Sequence, residues 1–154
     1  MNYIERMHQT LRTILAVVAG ILVFFVGVTG LHLLTGPLVG LPPTPQGMPS
    51  ENPEAWAAFI SGLSTVQMLS AMFSHIGGTF LGALTAAWIA KDGRLVGPMT
   101  VAAVALVGGV MNAIDLTGQP VWFTIIDLSL YLPAGYLACQ LAKKKRAEPV
   151  APPA

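Results

Sequence analysis

The chain of 154 residues is 54% hydrophobic and 10% charged, with a formal net charge of +1 and a mean hydropathy of +0.67. A soluble domain carries roughly 25% charged residues, so this composition cannot clothe a water-facing surface, and it excludes the accessible cationic face that nucleic acid requires. The single cysteine, Cys139, excludes an intramolecular disulfide and a cysteine-based metal cluster, and the length fits one domain.

The first apolar run, 13–35, follows Arg6 and Arg12. It is longer than the apolar core of a secretory signal, and no small-residue cleavage site interrupts it before Gly36, so it is expected to be an uncleaved first span. Gly36, Pro37, Leu41, Pro42, Pro43 and Pro45 then form a stretch expected to stop the helix and open an external loop. Within that loop Asn52 is a good N-cap, Pro53 suits the first helical position and Glu54 favours the positive end of the dipole. Trp56, Phe59, Ile60 and Leu63 recur at helical spacing, which predicts a short helix over 53–63 lying flat on the outer membrane interface. A lid over a site is the sharper alternative.

The second run, 65–90, carries small residues at every fourth position: Ser70, Ser74, Gly78, Gly82, Ala86 and Ala90. Helices in lipid associate by close backbone approach, which such a row permits, so this span is expected to be the central packing helix. The row serves internal packing or a homodimer. Lys91, Asp92, Gly93 and Arg94 make a tight turn into 95–116, where Gly97, Ala105, Gly109 and Ala113 form a similar row. After the turn at 117–120 comes 121–142, opened by Trp122 and Phe123 as interface anchors. Pro133 inside this last run removes the donor for the Ser129 carbonyl and predicts a kink. The segment 147–154, with Pro149, Pro152 and Pro153, is expected to be a disordered tail.

Each of the four runs reaches the ~20 mostly apolar residues needed to cross a hydrocarbon core as helix, and none shows the period-two alternation of barrel strands. The expected fold is therefore all-α: an integral membrane antiparallel four-helix bundle with a short interfacial helix in its first external loop. Arg6, Arg12, Lys91, Arg94 and the cluster Lys143, Lys144, Lys145, Arg146 all fall on one side of such a bundle, while 36–64 and 117–120 contain no Lys or Arg. The positive-inside rule then puts both termini in the cytoplasm.

The polar residues inside these runs are His32, His75, Asn112, Asp115 and Asp127, and ionisable groups at membrane depth are functional candidates. At about 1.5 Å of rise per residue, His32 lies roughly 6 Å, His75 roughly 14 Å, Asn112 about 7 Å and Asp127 about 9 Å below the outer ends of their spans, with Asp115 near the surface. All five fall in the outer half of the membrane. Asp127 is the costliest, at about 2.5–3.5 kcal/mol if at a helix centre. Either a neutral carboxyl donating to His75 or a carboxylate paired with protonated His75 reduces that cost.

At His75, Gly77, Gly78 and Gly82, then Asn112, then Pro120, Val121 and Trp122, and finally Leu132, Pro133 and Ala134, the chain resembles small uncharacterised four-pass proteins of bacterial inner membranes. The resemblance implies a bacterial plasma-membrane location; Asp127 lies outside its pattern. No cofactor is implied, and motifs for a thiol pair, an HExxH zinc site, a nucleophile elbow or a phosphate loop are missing. Lipid is the expected partner, with a second copy or a membrane complex as a further one. Three functions fit the residues. One is a transporter or permeation subunit using the polar cluster, and another is a structural or accessory subunit of a membrane complex. The third is a metal-dependent membrane enzyme using His32, His75, Asp115 and Asp127.

Overall fold

A computed structural model describes residues 3–91 and 93–147. It contains five helices, α1 (Tyr3–Leu38), α2 (Pro53–Ser61), α3 (Thr65–Ala90), α4 (Val96–Asp115) and α5 (Val121–Ala147), with no strand among the described residues. Four of them are long and apolar enough to cross a membrane. Large apolar side chains such as Leu22, Val26, Leu33, Val107 and Ile125 face outward and exposed. A surface of that kind suits acyl chains, not water.

The first helix does not stop at Gly36 and Pro37 but continues to Leu38. Proline breaks helices in their interior, where it removes a hydrogen bond and crowds the preceding turn. In a final turn the ladder is ending anyway. The chain stops at Gly40, whose φ of +63° is open to glycine at no steric cost, and the Leu41 N–H returns to the Gly36 carbonyl at 2.9 Å. The same helix begins ten residues before the apolar run, and α5 runs past it through Lys143–Arg146, because Glu, Arg, Gln and Lys propagate a helix without being apolar. The remainder of the expected tail, 148–154, lies outside the described residues.

Side-chain caps fix the starts of α2 and α3. Asn52 accepts from the Ala55 N–H, and Ser64 and Gln67 form a reciprocal capping box at the start of α3. The Gln67 amide also donates to the Gly40 carbonyl at 2.8 Å, tying the end of α1 to the entry of α3.

Packing centres on α3, which touches α1, α4 and α5. Its small-residue row is consumed inside the chain. A Cβ added at Gly82 would lie 2.5 Å from the Gly20 carbonyl oxygen, and one at Gly78 would meet Val28, so α1 and α3 approach backbone to backbone. The contact pairs run in opposite directions, making α1 and α3 antiparallel, whereas α3 and α5 run side by side in parallel, from Met68 and Phe123 at one end to Ala87 and Ala142 at the other. Basic residues gather at one end of this set: Arg12 Nε donates to the Ile89 carbonyl at 2.8 Å, and the Lys145 ammonium sits 5.9 Å from the centre of the Trp88 ring. At the opposite end Gly118 turns against Ala57, bringing α2 beside the α4–α5 turn.

Candidate functional site: a buried His–Asp–Tyr group beneath a capped cavity

The parallel seam between α3 and α5 positions the site. Met68 and Met72 on α3 pack with Phe123 on α5. His75 comes next along the first helix, and Asp127 and Tyr131 along the second. Phe123, Asp127 and Tyr131 are four residues apart, so they share one face of α5. His75 Nδ1 lies 3.1 Å from Asp127 Oδ1 and 3.2 Å from Oδ2, and the Tyr131 hydroxyl donates to Oδ2 at 3.0 Å. The imidazole and phenol rings are nearly parallel, 21° apart with centroids at 6.4 Å. The carboxylate is thereby satisfied on both oxygens, as a buried charge must be.

Burial differs sharply across the pair: the Asp127 side chain is 6% accessible and that of His75 is 20%. The accessible part of His75 faces a cavity of about 250 Å³. Trp56, Phe59 and Ile60 of α2 line one side of it, and Met68 and Phe123 another. His32 and Asn112 line it too, and neither side chain has a hydrogen-bond partner among the described residues. Beyond Asp127, toward the basic end, Ala83, Ala87, Val101, Ala102 and Ala138 are closely packed. The cavity therefore has a floor.

Of the five polar residues singled out in the sequence, His75 and Asp127 are in contact, and His32 and Asn112 share the cavity with His75. Asp115 is exposed at the end of α4 and does not line it. Pro133 is likewise exposed, on a part of α5 turned away from the cavity. The four-ligand metal arrangement does not assemble: among the described residues no three of His, Cys, Asp and Glu converge closely enough to hold an ion. Tyr131 is the site residue that sequence reasoning missed. Its signal was present, a phenol one helical turn after the costliest carboxylate.

No protein-family model, curated protein or solved structure matches this chain.

Proposed function

We propose that the chain is an antiparallel four-helix bundle of a bacterial inner membrane with both termini cytoplasmic, and that it works as a small transporter or permeation subunit. In this reading α2 lies at the outer interface and the cavity is its outward-facing site. The observation that carries it is the placement of His75: one edge on the cavity, the other against a carboxylate nearly sealed from solvent. An ionisable ring so placed can take up or release a proton on one side while Asp127 balances its charge on the other. The packed floor makes this an occluded arrangement, one that must rearrange to deliver anything to the basic side.

The test is proton or solute flux in proteoliposomes. Asp127→Asn and His75→Ala should each lower flux several-fold relative to the unaltered chain, whereas equal leak in all three excludes the group as a pathway. A second reading, an accessory subunit of a membrane complex, is favoured by the exposed groove on α4 between Val96, Met99, Ala103 and Val107. Crosslinking in native membranes that recovers no partner, not even a second copy, would count against it. The metal-dependent enzyme is the least supported, since its proposed ligands do not meet.

A further inference from the structure

Resting on the outward-facing site just proposed, we infer that the cavity takes a small uncharged molecule with an apolar body and one hydroxyl group, of the phenol or alcohol class, which donates its hydrogen bond to Nε2 of His75. The chemistry of the lining narrows the choice first. Sixteen residues line the cavity and none is Asp, Glu, Lys or Arg. A permanent cation would find no free carboxylate, because Asp127 stands behind His75 and already accepts two hydrogen bonds. A permanent anion would find no guanidinium or ammonium. Burying either charge in such a site is costly. Aromatic and aliphatic walls from Trp56, Phe59, Ile60 and Phe123 suit an apolar body, and about 250 Å³ lies just below the usual range for drug-sized ligands, so the body is small.

The head group follows from the tautomer of His75. Its Nδ1 sits almost equally far from the two carboxylate oxygens, 3.1 and 3.2 Å. Either carboxylate oxygen can accept from an Nδ1–H at these distances, and Oδ2 also accepts from the Tyr131 hydroxyl. In the proposed site Asp127 is the acceptor and Nδ1 carries the hydrogen, which in the neutral ring leaves the lone pair on Nε2. A buried carboxylate holding an imidazole in one tautomer is a known way of presenting the far nitrogen as a proton acceptor. That far nitrogen has no protein partner among the described residues, and no partnerless polar atom is sealed from solvent, so it opens on the cavity. What it needs is a donor. An O–H supplies one, and an ether of the same shape does not.

The experiment titrates the full-length protein in lipid nanodiscs with phenol and with anisole, which caps the hydroxyl with a methyl group, while following the ¹⁵N resonance of His75 Nε2. Concentrations are corrected for partition into lipid. Phenol should shift that resonance at a concentration at least tenfold lower than anisole, and benzyltrimethylammonium should not shift it. Ala71→Phe, which fills the cavity from α3 without touching Asp127, should abolish the response to both probes. Equal potency of phenol and anisole overturns the inference, as does an undiminished response in Ala71→Phe; the comparison of probes on the unaltered protein needs no variant to fold. A phenol preference without any effect of Asp127→Asn on flux supports the ligand class and removes transport. Flux that depends on Asp127 without a phenol preference overturns the ligand class alone.

Discussion

Asp127 sits nearly sealed from solvent, and its two partners come from different distances along the chain. His75 is 52 residues away, on another helix, while Tyr131 is one turn ahead. Tyr131→Phe removes the near donor and keeps the ring that fills the space, so it isolates the hydrogen bond. Membrane hydrogen bonds of this kind are worth about 0.6 kcal/mol on average and up to about 1.7. Unfolding measured in bicelles should therefore show a loss within that range, and no loss would mean that the phenol contributes only packing. The His75–Asp127 partnership could be anticipated from the residues because ionisable groups are so few here that each needs another. Tyr131 carried a weaker signal, its spacing of four from Asp127, because a tyrosine in an apolar run is ordinary and that spacing becomes informative only once the carboxylate is known to be buried. The cavity was invisible for a further reason: it depends on where α2 comes to rest over His32 and His75, which no local pattern specifies.

Helix α3 is held to α1 by the absence of side chains. Gly82→Ala would set a methyl group 2.5 Å from the Gly20 carbonyl oxygen, which is backbone and cannot swing aside. Overpacking of this kind costs about 1–3 kcal/mol. Gly108 on α4 has nothing within 4 Å of an added Cβ, so Gly108→Ala should leave stability unchanged or raise it slightly. Paired unfolding measurements on the two variants check this, and equal effects would show that the α1–α3 approach is looser than drawn. The existence of the four long helices was legible because apolar runs of this length have few other solutions in lipid, and α2 was legible from its cap and spacing. Their ends were not. Apolarity marks the part of a helix that lipid can cover; α1 extends beyond it on Glu, Arg and Gln and α5 on Lys and Arg, while Pro37 failed as a stop because it falls in a turn already closing on Gly40.

The whole molecule is polarised from end to end. Arg12, Lys91, Arg94 and Lys143–Lys145 crowd one end, and the cavity, α2 and the turns at Gly40 and Gly118 occupy the other. Reporter fusions at the two termini should both signal the cytoplasm, and opposite signals would overturn the orientation and the outward-facing site together. The same polarity divides the interior. Toward the basic end small residues close the packing around Ala83, Ala102 and Ala138; toward the other, aromatic side chains hold a space open.

The 52-residue separation of the two ionisable partners also bears on how the protein is made. Synthesis proceeds from the N-terminus, so α3 has left the ribosome well before α5 emerges. A carboxylate entering hydrocarbon alone faces a penalty of about 2.5–3.5 kcal/mol at mid-membrane, but here the imidazole that relieves it is already in the bilayer when the last helix arrives. The order of the genetic message thus delivers the imidazole partner of the costly group before the group itself, and a chain rearranged to place α5 ahead of α3 would have to insert Asp127 without His75.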